Sequence, residues 1–395
     1  AGANSRNVAV GYQAGLDMTT GIRNVLTGTF AGANLIAGSN NVAFGEQALT
    51  TDRNGSHSTA LGHAALASQD FATAADSNNT AVGHNAGLLI TTGVLNTLVG
   101  SLAGDALTVG NSNVAVGTLA LSADTKGDQS VAIGNNALTA QNFTTSVDTY
   151  NVAVGAEAGN DITTGVRNVI MGGRAGHKLT DADHNTAIGD QAITTDTLGS
   201  KSTAVGSGAL ATQNFTTATD SFNTAVGYYA SVGITTGRYN TIVGALCCGS
   251  MQTNVEMTAV GYGLAATSQT GRAREIVIGS NGTGGGSNTA RFITSQGSAT
   301  LGIDGSDTSW AAASDSRLKK EIANSTVGLE FIKDLRPVTF KWNAKNAIAD
   351  SLPQYVANSS DPVYGEGKAH HGFIAQEVKA VIDSHSDVVD GHNLW

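Results

Sequence analysis

Glycine returns along this chain at intervals too long for a helical turn or a strand pleat and too regular for a globular core. The segment Asn7-Val8-Ala9-Val10-Gly11 recurs as Asn41-Val42-Ala43-Phe44-Gly45, Asn113-Val114-Ala115-Val116-Gly117, Asn151-Val152-Ala153-Val154-Gly155 and Asn223-Thr224-Ala225-Val226-Gly227. Counted on this glycine from Gly11 to Gly279, the spacing is 17, 17, 17 and 21 residues three times over, then 17, 17 and 18. A superperiod of 72 follows, which Thr20-Gly21, Thr92-Gly93, Thr164-Gly165 and Thr236-Gly237 obey independently. Such periods mark solenoids, whose units bury their apolar faces only against their neighbours. With one coil per repeat, stacked at the spacing of hydrogen-bonded strands, the body is expected to be a rod of about 75 Å.

Each column of the repeat carries its own implication. Val8 and Val10 alternate with Ala9, which predicts a short strand, and Gly11 then allows a turn that a Cβ would obstruct. Three residues after each glycine stands Ala, from Ala14 and Ala31 to Ala230, a small-residue column expected where coils or neighbouring chains approach most closely. Four residues before the glycine stand Asn7, Asn24, Asn41 and Ser58, and again Asn151, Asn168, Asn185 and Ser202. In register, such amides are expected to bond to the coils above and below. The longer repeats carry Phe71, Phe143 and Phe215, 72 apart, and insertions repeated at one edge of a solenoid are common binding surfaces. The position after the glycine varies widely, including Tyr12, Glu46, His63, His84, Tyr228 and Tyr262, and is expected to be exposed. Adjacent Cys247 and Cys248 are expected to be buried free thiols.

The composition suits this reading. Only 3 Pro, 10 Phe and 3 Trp stand beside 50 Gly, too few large side chains for several conventional cores. A net charge of -10 with no basic run argues against nucleic acid as a partner. Apolar runs are short and broken by Gly, Asn or Thr, so membrane insertion and a signal-peptide core are not expected. No cofactor and no metal ligand set is expected either, since His63 and His84 lack a cluster of further ligands. The expected fold is all-β: a trimeric repeat solenoid of about 17-residue coils over 1–280, followed by a Gly-rich neck with short strands over 281–313. Three chains side by side would cover the small-residue columns. These repeats resemble those of trimeric autotransporter heads and of phage tail fibres.

Beyond Trp310 the composition changes to Lys, Arg, Glu and Pro with helix-like spacing. Three segments then follow in order: Ser314-Asp315-Ser316-Arg317-Leu318-Lys319, Leu335-Arg336-Pro337-Val338-Thr339-Phe340-Lys341-Trp342, and His371-Gly372-Phe373-Ile374-Ala375-Gln376-Glu377. Together they resemble the intramolecular chaperone domain of endosialidase-type tailspikes and tail fibres, the S74 peptidases. The resemblance covers 314–395 and implies an α+β module that trimerises, guides folding of the body before it, and cuts itself off. The implied cut falls between Ala313 and Ser314, with Ser314 as nucleophile, Lys319 as base, and Asp315, Arg317 and Glu377 shaping the site. A serine hydroxyl needs such a neighbouring base, and lysine serves once burial leaves it neutral. Read without the resemblance, Ser314 and Asp315 cap a helix beginning near Arg317, and Lys319 is a solvated charge. Because the chain begins at Ala1 and ends at Trp395, short of the long C-terminal helices of the family, it is expected to be a fragment.

The function expected from these features is host-surface attachment as part of a virion tail fibre. The expected partners are two further copies of the chain, other fibre proteins on the N-terminal side, and a host glycan or protein. A polysaccharide-degrading tailspike would need paired carboxylates about 5 to 10 Å apart, and Glu46, Asp105, Glu157 and Asp190 form no recurring pair. A bacterial trimeric adhesin would place a coiled coil and membrane barrel where the chaperone motifs stand.

Overall fold

A strand over Val8–Val10 pairs in parallel with Val25–Thr27, with Val8 facing Val25, Ala9 facing Leu26 and Val10 facing Thr27. The computed structural model describes residues 5–271, 274–303, 311–312, 329–351, 355–363 and 369–385. The chain falls into two compact units, Ala1–Ala313 and Ser314–Trp395.

In the first unit the strand recurs in every repeat, three residues long and lengthening to five in the last two coils, always parallel and in register, so that the motif columns become physical columns. The coils end where Ile276–Ser280 pairs in parallel with Thr289–Thr294, which then turns antiparallel onto Gly297–Gly302. Glu275, buried at this end, accepts the Thr267 hydroxyl at 2.7 Å and the Gly286 N–H at 2.8 Å, fixing the Gly-rich segment onto the last coil.

Glycine holds its column because the coils touch there. Gly62 has φ +133°, and a Cβ on it would lie 2.3 Å from the Gly83 carbonyl oxygen. Neither the backbone angle nor the space admits a side chain.

The interior is filled by side chains that trade volume between columns. The middle strand residue points inward, and it is Ala in most coils but Leu26, Leu98, Ile170 and Ile242 once every 72 residues. Where it is Ala43 or Ala60, the fourth residue after the motif glycine is Leu49 or Leu66, fully buried. Where it is Leu26, that place is Gly32, and a Cβ there would lie 2.9 Å from Leu26 Cδ2. In the Ala81 coil the same place is Gly87, and its space is filled by Leu66 and Leu98 from the neighbouring coils, so large and small residues interdigitate between coils. Each buried Leu or Ile contributes about 1.5–3 kcal/mol.

The Ala column lies inside the coil: Ala31, Ala48, Ala65 and Ala86 are each 0 % exposed within one chain. The expectation that further chains are needed to cover it is corrected here, because the fold of a single chain buries it completely. What one chain leaves uncovered is the outward pair of strand positions. Val8, Val10, Val25, Val42, Phe44 and Leu61 form an exposed apolar stripe along the sheet.

The Asn column closes each coil and joins it to the next. Asn7 Nδ2 donates to the Gly21 carbonyl at 2.8 Å, at the end of its own coil, while Asn7 Oδ1 accepts the Asn24 N–H at 2.8 Å. Asn24 repeats both bonds with Gly38 and Asn41 at 2.9 Å each. The amides therefore clasp their own coil and the following one. Asn96, Asn168 and Asn240 also donate Nδ2 to the preceding coil's Asn at 3.3, 3.3 and 3.1 Å, so that these three bond to the coils on both sides as expected from sequence.

At Ser58 the column loses an amide, and a second buried polar group takes its place. Gln69 Nε2 donates to Asp52 Oδ2 at 2.6 Å and to Ser58 Oγ at 3.0 Å, and Gln69 Oε1 accepts Asn79 Nδ2 at 2.9 Å. Asp52 Oδ1 also accepts the Gly55 N–H at 2.9 Å and the Phe71 N–H at 3.3 Å. The same pairing recurs as Asp124 with Gln141 and Asp196 with Gln213. Burial pushes all three carboxyls above their ordinary value, and the converging donors offset this only in part.

The longer coils do not extrude their phenylalanines. Phe71, Phe143 and Phe215 are 8 %, 6 % and 5 % exposed, folded back over the Asp-Gln pair. The extra residues form short parallel ladders, Gly55–Ser56 with Ala75–Asp76, Gly127–Asp128 with Val147–Asp148, and Gly199–Ser200 with Thr219–Asp220. The phenylalanines of the edge expected to be a binding surface are thus interior packing, and the exposed part of each insertion is the stretch after the Phe, 72–74, 144–146 and 216–218.

Candidate functional site

The second unit carries a short helix α1 (Leu329–Asp334), a strand Val338–Phe340, a strand His370–Gly372 and a helix α2 (Ala375–Ser384). The two strands pair antiparallel, with Val338 facing Gly372 and Phe340 facing His370. Proline sets the entry: the residue before Pro337 is held extended, so Arg336 leads into the strand rather than prolonging α1.

Glu377 stands in the first turn of α2, where a carboxylate complements the helix dipole. Its carboxylate receives Arg336 through both guanidinium arms, Nε to Oε2 at 3.0 Å and Nη2 to Oε1. Arg336 holds the Glu377 carboxyl below the usual range. Strand pairing and ion pair together join the second and third motifs, which lie 41 residues apart at this contact. Sequence reasoning named Glu377 and missed Arg336, although both stand in the quoted motifs; a carboxylate in a helix's first turn with a guanidinium before a Pro was the available signal.

Behind the strands, Phe340 packs edge-on against Trp342 at 5.3 Å between ring centroids and stacks on His370 at 5.7 Å. The helices meet where His385 Nε2 lies 2.9 Å from Asp334 and its ring packs on Phe331. Neither helix buries a residue, and Leu329, Ile332 and Phe373 are more than half exposed. Ala313, Ser314, Asp315, Arg317 and Lys319, the expected cleavage residues, lie outside the described residues.

Residues 314–387 match the S74 peptidase family model, chaperone of endosialidase. The matched segment begins at Ser314, directly after the repeat unit, and takes in all three motifs and the Arg336–Glu377 pair. No curated protein matches the chain.

In the repeat unit the other singled-out residues occupy separate places. His63 and His84 are exposed and stack on each other from consecutive coils, with 5.3 Å between centroids. Among the described residues no group of three or more His, Cys, Asp or Glu is arranged to hold a metal. Cys247 and Cys248 are buried and unbridged, their sulfurs 3.8 Å apart, and the neighbouring Cys247 thiol together with burial pushes Cys248 up. Single acidic residues recur as Asp52, Asp124 and Asp196, at positions sequence reasoning did not single out. Each sits alone in the interior with amide and backbone donors around it, which is a structural arrangement and not a catalytic carboxylate pair.

Proposed function

We propose that this chain is part of a homotrimeric phage tail fibre that attaches the virion to its host, and that its C-terminal domain assembles three chains and then cuts itself away. The observation that carries this reading is the chaperone-of-endosialidase match, which starts at Ser314, the first residue of the second unit, on a chain whose first unit is a β-solenoid. The trimer is supported by the exposed apolar stripe of Val10, Val42, Phe44 and their successors, and by helices that bury nothing within one chain. Both are surfaces that a second and third copy would cover.

In the proposed cleavage the Ser314 hydroxyl attacks the carbonyl carbon of Ala313 and gives its proton to a neutral Lys319 amine. The C–N bond to Ser314 breaks, its nitrogen takes a proton to become the new N-terminal amine, and water releases the acyl group as a carboxylate at Ala313. Parallel coils with contacts 17 residues or more apart are slow to nucleate, and a trimeric clamp aligns three chains before the first coil closes. Removing the clamp afterwards closes the return path and leaves kinetic stability. Partners on the N-terminal side would be other fibre proteins.

Intact mass of the recombinant chain tests the step. The unaltered protein should give two species split between Ala313 and Ser314, and Ser314→Ala and Lys319→Met should each give one. A single uncut species in all three refutes cleavage at this bond.

A further inference from the structure

At the third insertion the solenoid edge opens into a groove of about 620 Å³, lined by Asp181, Asp183, Asp220, Phe222, Arg238 and Tyr239. Phe222 and Tyr239 project from consecutive coils and stack nearly parallel, 5.7 Å between centroids and 12° between planes, each 47 % exposed. Lys201 lies 5.4 Å over the Phe222 ring and Arg238 lies 5.8 Å over Tyr239. Each carboxylate has one oxygen committed to the protein. Asp181 Oδ1 accepts the Thr164 hydroxyl at 2.7 Å, Asp183 Oδ1 the Val166 N–H at 2.7 Å, and Asp220 Oδ2 the Lys201 ammonium at 2.5 Å. The other oxygen of each has no protein donor among the described residues.

The repeat itself shows that the fold does not require this set. One superperiod of 72 earlier, Phe222, Arg238 and Tyr239 correspond to Tyr150, Val166 and Arg167, and two superperiods earlier to Asn78, Val94 and Leu95. The backbone is the same in each case, with φ of 49° at Phe222, 50° at Tyr150 and 49° at Asn78. A frame satisfied equally by Asn78 gains nothing from a half-exposed phenylalanine held in the left-handed region. Side chains that vary on a constant frame are free to serve recognition.

We propose that this groove binds a hydroxyl-rich saccharide, neutral or bearing amino groups. Aromatic rings offer the C–H faces of a sugar an apolar surface, and the open carboxylate oxygens accept its hydroxyls. Three carboxylates against two cations leave the groove negative, on a chain of net charge -10, which selects against sialylated, uronic or phosphorylated glycans. The inference rests on the attachment reading above and narrows it to one place and one class of ligand.

The test uses the full chain on a printed array of neutral, amino-bearing and anionic oligosaccharides, beside Phe222→Ala/Tyr239→Ala and Asp183→Asn. Neutral or amino sugars should be retained by the unaltered chain and weakened about tenfold or more by either change, with the oligomeric mass unchanged. Retention that survives Phe222→Ala/Tyr239→Ala overturns the groove and leaves attachment standing. Preference for anionic sugars, or no retention, also overturns the groove. Adsorption to bacterial envelopes, measured separately, then decides whether attachment falls with it.

Discussion

Gln69 donates its amide to the Asp52 carboxylate at 2.6 Å in an interior column whose neighbouring coils place Leu35 and Ile90. Two apolar layers and two polar layers therefore alternate along the solenoid, and the Gln of each polar pair stands in the 21-residue coil with its Asp in the coil before. The pair supplies what the missing Asn of the Ser58 coil would have held. Asp52→Ala should strand the Gly55 and Phe71 N–H groups and the Gln69 amide, costing about 3–5 kcal/mol locally. Because stacked coils unfold in segments, the effect belongs in amide exchange. Gly55 and Phe71 should lose protection while coils two superperiods away keep theirs.

The same carboxyls make stability depend on pH. Burial raises Asp52, Asp124 and Asp196 above the ordinary 3.8, so the native state holds their protons to higher pH than the unfolded chain does. Their favourable contribution is complete below 3.8 and is lost as pH rises through the raised native values. Thermal stability should fall across that window and level off above it. The triple change to Asn should flatten this slope, so that the stability lost relative to the unaltered chain is largest below the window and shrinks as pH rises through it.

The repeat spacing, the strand and the turn glycine were legible because steric demands at Gly62 and its equivalents leave no choice of residue. The interior was harder to read. Asp52, Asp124 and Asp196 recur at 72, as do Gln69, Gln141 and Gln213, but a polar residue in sequence reads as surface until its partners are seen. Phe71 read as an edge because inserted residues ordinarily leave the coil, whereas here they fold back over the polar pair. Ala31 read as a contact between coils or between chains because smallness signals close packing without saying on which side. In the second unit, the contact of Arg336 with Glu377 obeys no period, and only the family motifs pointed to their neighbourhood.

Backbone geometry allows opposite outcomes at two kinds of position. Gly134→Ala would place a Cβ 2.3 Å from the Gly155 carbonyl oxygen at a φ of +140°. The strained angle alone costs about 1–3 kcal/mol, and the clash adds to it. Leu95 is 55 % exposed with φ 61°, a conformation that asparagine adopts more readily. Leu95→Asn should therefore stabilise by up to about 1–2 kcal/mol. Thermal unfolding of the two variants should move in opposite directions, and equal shifts would contradict the coil geometry.

Phe44 is 59 % exposed in the stripe that includes Val10, Val25, Val42 and Leu61, so a charge there leaves the fold of one chain intact. If the stripes of three chains face one another, Phe44→Glu brings three carboxylates into an apolar seam and should dissociate the solenoid. Thr73, exposed on an insertion, is the control, and Thr73→Glu should leave assembly unchanged. Both are read by native mass on chains carrying the C-terminal domain and on the repeat unit after cleavage. A Phe44→Glu repeat unit that remains trimeric would remove the stripe as the seam and leave assembly to the second unit alone.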